Sequence, residues 1–165
     1  MDTIQVSQLD LKEVRLAIAG VLKFRPDLVL DGNKNPNVGS LKQFCTVTPI
    51  DTRTLGHKRK FNGINEEETI IISNETTVSI SFYGKDAYVL ACWLSGTLLS
   101  TYSYMMFNAI RACVLSCSSV RNIPQQVSAG FEERAQFDVV ISHNHVIKQK
   151  LNHINDLELK FEVNP

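Results

Sequence analysis

The stretch from Thr77 to Ser100, TVSISFYGKDAYVLACWLSGTLLS, changes its apolar period halfway along. Val78, Ile80 and Phe82 alternate with Thr77, Ser79, Ser81 and Tyr83, the two-residue period of a strand with one buried face. Gly84 ends the alternation. Beyond Lys85 and Asp86, the residues Ala87, Leu90, Ala91, Leu94 and Leu98 recur at helical spacing. A strand leading straight into an apolar helix buries both only if the helix lies back on the sheet. The switch therefore predicts a sheet covered by a helix. It carries no side chain suited to catalysis, which turns attention to shape and assembly.

The remaining segments add strands and a second long helix. Gln8 to Phe24 predicts a helix with Leu11, Val14, Ile18 and Val21 on one stripe. Asp10 or Ser7 would cap its start, and Pro26 follows its end. Asp31 to Ser40 predicts a long loop, and Gln43 to Ile50 a strand. Arg53 to Lys60 reads as a basic loop within a hairpin loop over residues 51–66. Thr69 to Ser73 and Thr76 to Tyr83 read as a hairpin turning at Asn74-Glu75.

After the apolar helix, the spacing predicts a break at Thr101 to Tyr104 and a helical piece from Met105 to Cys113. That piece would turn Met106, Ala109, Ile110 and Cys113 inward. Val114 to Ile123 predicts a strand, and so does Arg134 to Ser142, with Ala135, Phe137, Val139 and Ile141 on one face. Leu157 to Val163, LELKFEV, alternates as strictly, whereas Val146 to Asn155 is polar and ambiguous. The sum over residues 1–165 is one α+β domain: a mixed, largely antiparallel sheet of five to six strands flanked by two main helices.

Composition narrows the function. Hydrophobic residues make up 44% of the 165 and charged residues 21%, which fits a packed domain and excludes a mostly disordered chain. Lys plus Arg equals Asp plus Glu at 17 each, so a general nucleic-acid or membrane-surface binder is disfavoured. Any contact with DNA must come from local charge. The opening MDTIQVSQLDLKEV lacks the features of a signal peptide, and the apolar run Ala87 to Leu99 is too short to span a membrane. Free thiols in a reducing cytosol are then the expectation for Cys45, Cys92, Cys113 and Cys117.

Several residue sets invite chemistry. Cys113 and Cys117 with His143 and His145 are of the right type for tetrahedral zinc, but Cys-x3-Cys at a helix-to-strand junction lacks a supporting turn. A cysteine nucleophile paired with a histidine is the enzymatic alternative, and a small monomeric adaptor domain is another. Glu66, Glu67 and Glu68 fit a solvated turn. No P-loop, dinucleotide-binding glycine turn, nucleophile elbow or His-Glu-x-x-His occurs. Arg53, Lys58, Arg59 and Lys60 form the sharpest local charge, able to touch phosphate if they face DNA. Tyr102, Tyr104, Met105, Met106 and Phe107, close to Tyr88, Trp93, Leu98 and Leu99, exceed what one helix can bury on one side and point to a subunit interface.

The order of segments resembles the neck or tail terminator proteins of tailed bacteriophages. The resemblance is carried by SISFYG before an Ala-rich helix, by SSVRNIP, by EERAQFDVVIS with its Glu133-Arg134 and Phe137-Asp138 steps, and by LELKFEV. It spans roughly Leu9 to Val163 and includes the opening helix VRLAIAGVL. It implies a virion protein of the neck or tail, assembled in the host cytoplasm. Its fold would be a mixed sheet flanked by helices, and its function the closure of a ring, commonly a hexamer. That ring would cap the tail tube and join it to the head-completion or connector complex. The implied partners are other copies of the chain, the tail tube protein, the connector protein and the genomic DNA in the channel. It implies no catalysis, no cofactor and no membrane.

Overall fold

The computed structural model describes residues 5–34, 38–39, 41–127 and 130–151. In chain order the elements are β1 (Gln5–Ser7), α1 (Leu11–Leu22), a 3-10 turn (Pro26–Leu28), β2 (Val29–Asp31), β3 (Gln43–Asn62) and β4 (Glu67–Gly84). There follow α2 (Ala87–Thr97), α3 (Thr101–Ala109), β5 (Ala112–Cys117), β6 (Arg121–Asn122), β7 (Gln125–Val127), β8 (Gly130–Glu132) and β9 (Arg134–Lys150). The class is α+β, as the period switch predicts, with three helices rather than two.

The sheet runs in the order β1-β9-β4-β3-β2. β5 and β6 share with β1 the edge of β9 that β4 leaves open. The pairings are antiparallel except β2 on β3, which sequence periodicity missed because β2 is only three residues long. A separate hairpin pairs β7 with β8.

Strand alternation builds the core. Three rungs cross the sheet on one face: Cys45–Phe82–Ala135, Val47–Ile80–Phe137 and Pro49–Val78–Val139. Apart from Pro49, these side chains are almost wholly buried. The helices lie over them. From α1 come Val14, Ile18 and Val21; from α2, Ala87, Ala91 and Leu94; from α3, Phe107. Asp10 caps α1, accepting the Lys12 N–H at 2.7 Å, and the competing Ser7 lies in β1. Gly20 lets α3 close on α1, since a Cβ there would come within 2.6 Å of the Met106 methyl carbon.

The corner between β4 and α2 is held from three sides. Gly84 has φ +87°, and a Cβ there would run into the carbonyl oxygen of Lys42. Its N–H donates to the Glu133 carbonyl at 3.0 Å. The Glu133 carboxylate accepts the Asp86 N–H at 2.9 Å, just before α2 begins. The Gln43 side chain donates to the Lys85 carbonyl at 2.6 Å.

Several expectations are corrected. Residues 51–62 are not a hairpin loop: β3 runs on through Arg53 to Lys60 as a strand, and the turn follows Asn62. The loss of apolar alternation there reflects exposure rather than a change of backbone. Asn74-Glu75 makes no turn, because β4 is continuous and Asn74 is buried, accepting from Thr54 at 2.9 Å. The break after α2 falls at Leu98–Ser100, with Ser100 capping α3 from Thr101 onward. Val114 to Ile123 is interrupted between β5 and β6. β9 continues through the ambiguous stretch as far as Lys150. The expected strand Leu157 to Val163 lies outside the described residues.

The corner makes a testable claim. Gly84→Ala must adopt a left-handed backbone and displace Lys42, so denaturant melts should show a loss of about 2 kcal/mol or more. Gly96→Ala, inside α2 with open space around its Cβ, should gain about 0.5–1 kcal/mol.

Candidate functional site

Beyond the helices, β3, β4 and β9 continue together as an arm. Its base is a polar seam on the core face of the sheet. Thr52 and Thr76 share a hydrogen bond at 2.8 Å, Thr76 binds His143 Nε2 at 2.8 Å, and Thr54 donates to Asn74. Asn74, Thr76 and His143 are buried, and from Ile50 outward β3 is exposed at every residue.

Register and alternation divide the arm's charges between two faces. Arg53, Lys58 and Lys60 share the face away from the helices with Lys148 and Lys150 of β9. His57 and Arg59 lie on the opposite face. Two β-bulges, at Pro49/Asp51 and Thr54/Gly56, set this division, which simple alternation from Gln43 would misassign. Arg53 is paired with Glu75 at 2.6 Å, so Lys58, Lys60, Lys148 and Lys150 dominate the basic face. Lys148 and Lys150 were missed in the sequence, although K-x-K at the end of a strand places both on one side.

The second feature is the outer side of the helical layer. No Asp, Glu, Lys or Arg occurs between Ala87 and Ile110. The inward stripe of α2 is satisfied by the core, yet Tyr88, Val89 and Trp93 point outward, with Trp93 46% exposed. Leu99, Tyr102, Tyr104 and Met105 are exposed as well. Trp93 therefore lies outside the core. Phe107 is, and Met106 is half-buried beneath α1, so these two leave the expected interface set. This helix thus has two apolar sides, one buried on the sheet and one exposed.

The cysteine and histidine residues do not converge. Cys113 pairs with Ser142 in the ladder, which puts its side chain on the face opposite His143. Cys117, beyond a bulge, is half-buried opposite Val139, four residues along β9 from His143, or about 13 Å. Burial raises the Cys117 thiol pKa, against a hydrogen bond with Ser95 that lowers it. Burial pushes the Cys45 thiol up to about 12. Among the described residues, no three His, Cys, Asp or Glu side chains are placed to hold a metal together. No described helix is long and apolar enough to cross a membrane.

Two of the segments that carry the resemblance, SISFYG and EERAQFDVVIS, meet at the corner. Tyr83, from SISFYG, is the register partner of Arg134, whose guanidinium lies 5.1 Å from the Tyr83 ring centre. Phe44 stacks on the same ring at 4.8 Å. Glu133 caps the turn, Phe137 fills the central rung, and Asp138 binds Arg121 at 2.8 Å. A model of the family described as phage neck terminator protein matches residues 11–165, nearly the whole chain.

The chain belongs to the phage neck terminator family. It is a structural protein of the phage tail and neck. No curated protein matches the chain. Within this terminator the family-like segments have structural duties. They lock sheet to helix, while the arm and the apolar helical face are what they present outward.

The polar seam also makes the terminator sensitive to acid. Burial, foremost, and the charge of His145 lower the pKa of His143 from its ordinary value near 6.5. Neutral His143 thus contributes stability that is complete above about pH 6.5 and lost as pH falls through the lowered folded value. The melting temperature should drop on acidification below about pH 6, and His143→Gln should flatten that slope. An unchanged slope in the variant would contradict the assignment.

Proposed function

We propose that this neck terminator is one domain that closes with other copies into a ring, a hexamer, ending the tail tube and joining it to the head-completion or connector complex. The observation that carries this reading is the uncharged span from Ala87 to Ile110, whose outward residues are left exposed among the described residues. A heterologous contact repeated around a closed ring supplies that cover without leaving a free end. Such a contact needs roughly 800 Å² from each partner, and Tyr88, Trp93, Tyr102, Tyr104 and Met105 provide aromatic and Met anchors of the kind that dominate interfaces.

In this reading the arm faces the channel. Lys58, Lys60, Lys148 and Lys150, with Arg53 and Arg59 close by, are multiplied by the copy number of the ring and meet the DNA backbone as point charges. The chain is neutral as a whole, so the basic faces must be gathered by assembly to act on DNA. The function is mechanical and needs no cofactor or catalysis. The Cys113–His143 alternative is disfavoured by the opposite faces of those two side chains.

Two experiments test the reading. The mass of the purified protein, alone and with tail tubes, together with negative-stain images, should show rings. Tyr102→Asp or Met105→Asp should abolish them while moving the melting temperature by no more than a degree or two, because both positions are exposed. A strict monomer in both settings, or equal loss of folding and assembly, would count against the ring. Lys58→Glu with Lys60→Glu should leave rings intact but weaken their binding to DNA and its salt dependence. Unchanged DNA retention would remove the arm from the channel.

A further inference from the structure

The arm ends in an uncharged tip. His57, Lys58, Arg59 and Lys60 precede it and Glu66, Glu67 and Glu68 follow, but Phe61-Asn62-Gly63-Ile64-Asn65 carries no charge. Ile64 is 93% exposed and Phe61 58%. The Asn62 side-chain oxygen accepts the Ile64 N–H at 3.1 Å, an Asx turn that fixes the backbone of the tip. Phe61 lies on the strand face opposite Lys58 and Lys60.

The body has a hollow of matching character. Leu16 and Ala17 of α1 and Met106 and Ala109 of α3, with Ile110 and Glu13, line a cup of about 260 Å³. Its lining is mostly apolar, and among the described residues no side chain fills it. A more polar cleft continues from it past Arg111 to His143. The cup also continues the outer helical face, because Tyr102, Met105 and Ala109 recur at helical spacing along α3 and all three are exposed.

We infer that the tip of one copy seats in the α1–α3 cup of the next, with Ile64 as the knob. The inference rests on the ring reading and adds to it a second contact between neighbours. Three observations support it. The first is reach. The arm's tip cannot fill the cup of its own chain: from Asn74 at the seam to Glu67 at the tip is seven residues of paired strand, about 23 Å, whereas the cleft that continues the cup ends at the seam residue His143. The second is charge. An uncharged tip enters an apolar cup without stripping water from an ion. Behind the tip stand Glu67 and Glu68. Beside the cup stand Lys12, one turn before Leu16, and Arg111, next to Ile110; neither has an ion-pair partner among the described residues, and together they outweigh Glu13. The third is symmetry. Tip and cup are different surfaces of one chain, so their contact is heterologous, the kind that repeats around a ring. Docking through Ile64 and Phe61 leaves the face of Lys58 and Lys60 free for DNA.

Cross-linking between copies tests it. In a Cys92→Ser background, which removes the exposed native thiol, protein carrying Ile64→Cys is mixed with protein carrying Ala109→Cys and assembled on tail tubes. Under a mild oxidant the two should join about tenfold faster or more than Ile64→Cys joins Lys85→Cys, an exposed position at the corner. In otherwise unaltered protein, Ile64→Asp and Ala109→Trp should each raise the concentration needed for assembly about tenfold. Both positions are exposed, so the melting temperature should stay within a degree or two. Rings that form without the faster cross-link, or that tolerate Ile64→Asp, would overturn the inference and leave the ring standing. A strict monomer, alone and with tail tubes, would overturn the ring and this contact with it.

Discussion

Everything in this protein is arranged around the corner at Gly84. The positive φ of that residue, its contact with the Lys42 backbone and the two hydrogen bonds that Glu133 accepts fix the angle at which β4 becomes α2. That angle sets α2 over the three apolar rungs, and α3 and α1 follow by packing. Glu133 immediately precedes β9, so the same residue that closes the corner also stands at the start of the long β4–β9 pairing. A helix laid in this way has its inner stripe satisfied by one sheet. Its outer stripe is left exposed.

The long strands then do two jobs along their length. Near the corner they alternate between an apolar face and a polar one, and the core is built there. At the seam the side chains facing the core side change from apolar to polar: Thr76, Asn74 and His143 are buried and hydrogen-bonded with Thr52, Thr54 and one another. Past the seam, cross-strand pairs and backbone ladders hold the arm, with isoleucines half-covered on both faces and lysines gathered on one. Three long strands, with β1 beside β9 at Val146–Lys148, carry the arm's ladders.

The core was legible from period alone. Val78, Ile80 and Phe82, then Ala135, Phe137, Val139 and Ile141, announce their faces because one side of each strand is dry and the other wet. The arm was not legible for the same reason. From Asp51 outward β3 is wet on both sides, so no alternation remains, and a two-sided polar strand reads as a loop. The bulges at Pro49/Asp51 and Thr54/Gly56 add to this, since each moves the later residues to the other face. Asn74-Glu75 misled because residues typical of turns also serve as buried hydrogen-bonding partners in a paired strand. The aromatic zone was recognised as too rich for one core, but its members were partly misassigned. Trp93 faces out from α2, whereas Phe107 faces in, a placement set by where α3 begins and hence by the Ser100 cap.

Membership of the neck terminator family establishes the setting, and the geometry suggests how the chain acts within it: an uncharged helical face for its neighbours and a basic arm for what passes through the middle. The most direct measurement is an electron cryomicroscopy map of the protein assembled on tail tubes, at a resolution that places helices and strands. The account predicts adjacent copies in contact through the outer sides of α2 and α3, with Trp93, Tyr102 and Met105 buried and the lysine face of each arm turned toward the channel. A ring whose copies meet elsewhere, leaving that helical face in solvent and the arms on the outer rim, would contradict it.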